Sequence, residues 1–255
     1  MDAAGHSTGG HGVVDHWIDE LDSELRAAGD PARAVNEKAY LKSASDFYGV
    51  SVPAMRAMAK RFARLHRDIA HDDLIALIEG LWTAERAARP VHERRLLAVL
   101  LAEQHLSVLD AGDISTFEQM IRESQTWALV DVIAASVVGA LVVRHVELGT
   151  VLDRWASDDD FWIRRSALLA LLGPLRAGGG DFERFARYAD AMLDEREFFI
   201  RKAIGWVLRD TARKRPQLVF EWIAPRAKRA SGVTMREVMK YLDDEQRRVI
   251  SDRRT

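Results

Sequence analysis

The sequence predicts an all-α fold, an α-solenoid in which paired helices stack side by side. Three observations predict it. Apolar residues recur at helical spacing along most of the 255-residue chain. Strand patterns are nearly missing, and Gly and Pro collect between the helical stretches, in "AAGDP", "GVSVP", "AGD", "LGPLRAGGGD" and "RKRP". The segment "FWIRRSALLAL" (161–171) aligns without gaps with "FFIRKAIGWVL" (198–208), 37 residues further on.

The elements follow in order. The opening "MDAAGHSTGGHGVV" has neither a basic start nor a long apolar stretch, so it is no secretory signal. Residues 1–13 read as a flexible tail, and 14–255 as a single repeat domain. Helices are expected at 14–28, ending at "AAGDP", and at 34–45, ending before "GVSVP". The helix at 52–66 starts from Ser51, a cap before Val-Pro, and that at 72–87 from Asp72, a cap before an apolar run. Those at 91–105 and 115–123 flank "AGD". A long apolar helix at 126–144 and a short one at 147–156 come next. Ser157-Asp158 would cap 159–173. Helices at 181–193 and 196–213 precede "RKRP", and 216–229 and a broken 234–252 finish the chain.

Composition narrows the chemistry. With 48% hydrophobic and 30% charged residues, the chain matches an ordinary soluble protein. The apolar run "VIAASVVGALVV" (132–143) is short for a bilayer span, so no membrane partner is expected. Cysteine is absent, which excludes disulfides, thiol nucleophiles and Cys-ligated metals; a reducing cytoplasm is the expected compartment. The eight His are scattered, "RAGGGDFER" lacks the Lys-Ser/Thr of a phosphate loop, and "SDDD" fits an acidic helix start, so neither metal nor cofactor is expected. Net charge is −2, yet the chain from residue 201 is rich in Arg and Lys, so a neutral total can hide a basic face.

Helix pairs recurring at this period suggest a HEAT-like solenoid whose inner helices line a concave groove. "VHERRLLAVLL" (91–101) is a weaker member of the series. Matched positions place Arg95, Asp131, Arg165 and Lys202 in one column, expected to face solvent or ligand because burying so many charges is costly. Trp127 lies one turn before Asp131 and Trp206 one turn after Lys202. Cations bind phosphate, while indole faces and a carboxylate attract positive charge. A nucleic acid holding a cationic alkylated purine offers both. Its base leaves as a neutral molecule, and Asp131 would stabilise the charge growing on the sugar and orient a water.

The segments "TWALVDVIA", "FWIRRSALLAL" and "EFFIRKAIGWVLRD" resemble the AlkD-type DNA alkylation repair glycosylases, as do "AYLKSASDFYGVSVPAMRAMAK" (39–60) and "TMREVMKYL" (234–242). The resemblance implies a HEAT-like solenoid with a concave DNA-binding groove, acting on double-stranded DNA that carries N3- or N7-alkylated purines. It implies that Asp131 is the catalytic carboxylate, that Trp127 and Trp206 are aromatic walls, that Arg165 holds a phosphate near the lesion, and that Tyr40 lies at the rim. Lys42, Arg164, Arg201, Lys202 and Arg209 are the further DNA contacts expected. A monomer is expected. The family often reads Trp-Trp-Asp where this chain has Thr126-Trp127-Ala128. Two other readings stay open: a protein-binding scaffold, and a DNA-structure binder without excision. In either, Asp131 and Arg165 could form a buried salt bridge.

Overall fold

The computed structural model describes residues 9–83 and 89–254. Among these the regular structure is helical, apart from one isolated parallel bridge between Asp46 and Val91. The helices gather into two compact units, Met1–Asp113 and Ile114–Thr255; the single domain expected over 14–255 spans both. Residues 1–8 of the expected tail and 84–87 of the expected fourth helix lie outside the described residues.

The first unit contains α1 (Gly9–Ala27), α2 (Pro31–Leu41), α3 (Val52–Leu65), α4 (His71–Trp82) and α5 (His92–Gln104). Helix α2 starts earlier than expected because Asp30 caps it, accepting from the Ala32 and Arg33 amides, with Pro31 at the first helical position. Ser51 caps α3 as expected. Asp72 does not cap α4: the helix begins one residue before it, and Asp72 sits in the first turn beside His71. Helix α5 is buried on every side from His92 to Ala102. Its Glu93 accepts the amides of Tyr48, Gly49 and Val50, and Gly49 takes φ +83°, where a side chain would be strained.

The second unit runs α6 (Ile114–Ser124), α7 (Trp127–Val132), a π-helical segment Ile133–Val138, α8 (Gly139–Arg144), α9 (Gly149–Trp155), α10 (Phe161–Leu169), α11 (Leu172–Arg176), α12 (Phe182–Ala191), α13 (Phe198–Ala212), α14 (Pro216–Ile223), α15 (Gly232–Val238) and α16 (Asp244–Arg254). Trp127–Arg144 is one continuous helical run with mean hydropathy 1.9. It is longer than the apolar stretch read from sequence and long and apolar enough to cross a membrane by composition alone; here its Leu129, Val130, Ile133 and Val137 are buried within the unit. The helix expected over 159–173 is split, because Pro174 has no N–H to return to the Ala170 carbonyl. Asp160 caps α10 instead of Ser157-Asp158, and Asp158 accepts the Asp160 amide to shape the turn.

Repeats in this unit are joined by ion pairs whose sequence separation is close to the repeat length. Arg122 binds Asp158 and Arg154 binds Glu118, each across 36 residues; Arg165 binds Asp131 across 34, and Lys202 binds Glu237 across 35. The buried Trp155 also donates its indole N–H to Glu118 at 2.8 Å. Burial raises Glu118, but Arg154 above all, with Arg122 and Trp155, holds it down at about 2.

Candidate active site

The site is built on equivalent turns of consecutive repeats. Thr126 takes extended backbone at the N-cap of α7, and its hydroxyl accepts the Ala128 amide at 3.4 Å. The residue that departs from the family pattern therefore starts the helix bearing the site. Trp127 is the first residue of α7 and is half-buried. Asp131 follows one turn later, its side chain 13% exposed.

Arg165 reaches Asp131 from α10. Its Nε donates to one carboxylate oxygen at 2.7 Å and its Nη2 to the other at 2.8 Å, a planar two-pronged pair. Its Nη1 donates to the Phe199 carbonyl on α13, and its guanidinium lies 5.9 Å from the Phe199 ring centre. Asp131, Arg165 and Phe199 are thus a ladder with 34-residue steps across three repeats. Burial pushes the Asp131 carboxyl above its ordinary value, and Arg165 pulls the other way.

Two expectations change here. Apart from Lys202, the column does not present its charges to solvent. Each of its two later cations meets a carboxylate one repeat away, Arg165 that of Asp131 and the partly exposed Lys202 that of Glu237, and this complementarity makes the burial of Arg165 tolerable. Arg165, with a side chain 3% exposed, faces the carboxylate rather than an open phosphate position. Arg95 lies in the first unit. It is buried, donates to the Trp82 carbonyl at 3.2 Å and lies over the Trp82 ring, while Arg94 takes the Gly80 carbonyl. These arginines satisfy carbonyls that the last turn of α4 would otherwise leave open.

The remaining expected residues divide by location. Tyr40 and Lys42 lie in the first unit at the end of α2, both exposed, with Lys42 at φ +50° as the C-cap. Arg164 is engaged: Nε and Nη2 bind Glu195, and Nη1 binds the carbonyls of Asp158 and Asp159. Arg201 donates to the Glu195 carbonyl. Trp206 is half-buried, its indole N–H given to Asp210 at 3.1 Å. Arg209 links Asp210 to Glu237, which also holds Lys202.

Phe199, Asp210 and Glu237 are the members sequence reasoning missed. Glu237 and Asp210 were accessible through the repeat, since they lie 35 residues after Lys202 and 34 after Arg176. Gly205 lets α15 close on α13: a Cβ there would stand 3.0 Å from the Glu237 Cβ and 3.1 Å from the Thr234 Cα. Hence Gly205 serves packing while its neighbour Trp206 stays half-exposed.

Fold and site together define a helical-repeat protein with a guanidinium-bound carboxylate one turn from an indole. The family profile described as "DNA alkylation repair enzyme" matches residues 21–242. The chain belongs to this family, and its role is in DNA alkylation repair. Among solved structures it is similar to a predicted DNA alkylation repair enzyme from Enterococcus faecalis, with TM-score 0.74 and 25% identity over 85% of this chain and 97% of that one. It is also similar in fold to AlkD2 from Streptococcus mutans, with TM-score 0.62 and 15% identity over 90% of this chain and 99% of that one. No curated protein matches the sequence. The HEAT-like helical-repeat class expected from sequence is the class of these neighbours.

Proposed function

We propose that the protein is a DNA glycosylase that removes positively charged N3- or N7-alkylpurines by hydrolysing the N-glycosidic bond. The observation that supports this best is Asp131 itself. It is a carboxylate held at both oxygens by Arg165, kept slightly open, and placed one helical turn after a half-buried Trp127.

The chemistry suits that arrangement. An alkylpurinium base already carries the positive charge that makes it a leaving group. As the C1′–N bond breaks, its electrons return to the base and positive charge passes to the sugar. Asp131 stabilises that charge, and its free lone pairs orient the water that adds to C1′ and loses a proton. A fixed carboxylate in a water-poor site stabilises such a charge far better than one in bulk solvent. Arg165 is a positioning residue: it fixes the carboxylate plane and, against the effect of burial, favours the ionised form of the acid. Trp127 and Trp206 contribute faces that attract a cationic ring. Substrate recognition then rests on charge and stacking, with the DNA backbone held by the Arg- and Lys-rich C-terminal repeats.

The test is release of free base. Duplex DNA methylated at purine N3 and N7 is incubated with the protein, and the supernatant is assayed for 3-methyladenine and 7-methylguanine. The reading expects enzyme-dependent release of at least one of them. Salt-sensitive DNA binding without release of either contradicts it in favour of a DNA binder, and absence of DNA binding points to a scaffold.

A further inference from the structure

We propose that the π-helical segment Ile133–Val138 is a register device: it aims Asp131 and Trp127 into the site and is a positioning element for the reaction. The inference rests on the reading of Asp131 given above.

The helical run Trp127–Arg144 changes its bonding midway. The Ile133 amide donates four residues back, to the Leu129 carbonyl, whereas the Gly139 amide donates five back, to that of Ala134. The wider turn holds one extra residue, an arrangement that is rare and recurs at functional sites. The run also touches the same neighbour twice. Asp131 meets Arg165 on α10, and Gly139 packs against the carbonyl oxygen of Ala170, the residue that ends α10. Asp131 and Gly139 are eight residues apart. Eight residues of plain α-helix advance about 80° beyond two full turns, which puts the pair on diverging faces. One extra residue absorbed in a π-turn brings them back to within about 20°, the phase of residues seven apart in an α-helix.

Burial carries the same correction. Leu129, Ile133, Val137 and Leu141 are buried at intervals of four, and Trp127, Asp131 and Ala135 are half-buried at that same interval. In plain α-helix such a row drifts by about 40° per step. Packing alone does not call for the wider turn. The stretch "VIAASVVGALVV" is apolar nearly all round, so an unbroken α-helix would bury side chains of the same kind. The two point contacts do call for it. Asp131 is the carboxylate that Arg165 grips, and Gly139 has no Cβ to strike the Ala170 carbonyl. Straightening the run with Gly139 kept in its seat turns the α7 end by about 100°, which carries Asp131 off Arg165 and Trp127 out of the site.

The test removes Ala135, a small, half-buried residue of the π-helical segment, from the full chain. The deletion shortens the wide turn to an α-turn. Two further chains carry the same deletion with one alanine inserted elsewhere. Inserted between Val132 and Ile133, it restores the spacing from Asp131 to Gly139; inserted between Arg144 and His145, it restores only the chain length. In each chain the coupling between Asp131→Asn and Arg165→Gln is measured in thermal melts as a double-mutant cycle, beside single-turnover release of 7-methylguanine. The deletion is expected to abolish the coupling and to slow release at least about a hundredfold. The insertion after Val132 restores both, and the insertion after Arg144 restores neither. A folded deletion chain that keeps either the coupling or the wild-type release rate overturns the proposal, as does equal rescue by the two insertions. If the deletion chain does not fold, the length-restored chains decide: an insertion after Val132 that fails to recover the coupling overturns it. Should the coupling follow the spacing while no chain, wild type included, releases base, the glycosylase reading falls and the aiming of Asp131 by the π-turn stands.

Discussion

Arg165 grips both carboxylate oxygens of Asp131, at 2.7 and 2.8 Å, from a guanidinium almost entirely withdrawn from solvent. Its remaining terminal nitrogen, Nη1, is fastened to the Phe199 carbonyl one repeat further on. The pair thus joins a proposed reacting group to the packing between repeats, and disturbing it acts on both.

Arg165→Gln is expected to separate positioning from DNA contact. Breaking a buried pair costs about 3 to 5 kcal/mol, so the melting temperature falls clearly. Without the guanidinium, burial alone acts on Asp131, whose pKa rises further, and the acid limb of the excision profile moves to higher pH. Affinity for undamaged duplex stays within a few-fold, because the guanidinium faces inward. A variant that loses affinity while its pH profile stays put would return Arg165 to phosphate binding.

Gly139 lets the site helix come close to the chain that follows α10. A Cβ there would stand 2.8 Å from the Ala170 carbonyl oxygen, a backbone atom that cannot swing aside. Alanine gains up to about 1 kcal/mol of helix propensity but forces apart a packed contact, at about 1 to 3 kcal/mol. Gly139→Ala is expected to be destabilising by roughly 1 to 2 kcal/mol in denaturant melts. A melt equal to or above wild type would refute the close contact.

His92 gives the first unit an acid sensitivity. It is buried against Phe47, the ring centres 4.9 Å apart, and its Nδ1 has no hydrogen-bond partner. Burial, aided by nearby Arg95, lowers it from 6.5 to about 4. Below pH 6.5 the unfolded chain takes up a proton that the folded chain refuses, so stability drops as pH falls from 6.5 toward 4. The loss from this group is on the order of 3 kcal/mol at the bottom of that window. His92→Phe keeps the ring stacking and removes the titration. Its stability should fall less steeply between pH 6.5 and 4; a slope identical to wild type would show that His92 is not the source.

Much of this was legible in the sequence because helical repeats write themselves in local code. Ser51 ahead of Val-Pro marked the start of α3, and the breaks between helices fell where Gly and Pro collect. Asp72 misled because any acid in a first helical turn looks like a cap, and only the backbone angles decide. The matched positions of Asp131, Arg165 and Lys202 were readable from the repeat, but their pairing was not. Whether a charge faces solvent or its partner depends on residues one repeat away, and Phe199 enters through a carbonyl that carries no side-chain signal. Arg94 and Arg95 show the same limit: the "ERR" of α5 looks like groove chemistry, yet both arginines close carbonyls of α4.

The most direct test is the single-turnover rate of 7-methylguanine release by Asp131→Asn, with protein saturating over a methylated duplex. Asparagine keeps the shape and loses the charge that the sugar would meet. The account predicts a fall of at least about a hundredfold, with duplex affinity within a few-fold of wild type. A folded Asp131→Asn protein that releases base at the wild-type rate would contradict it.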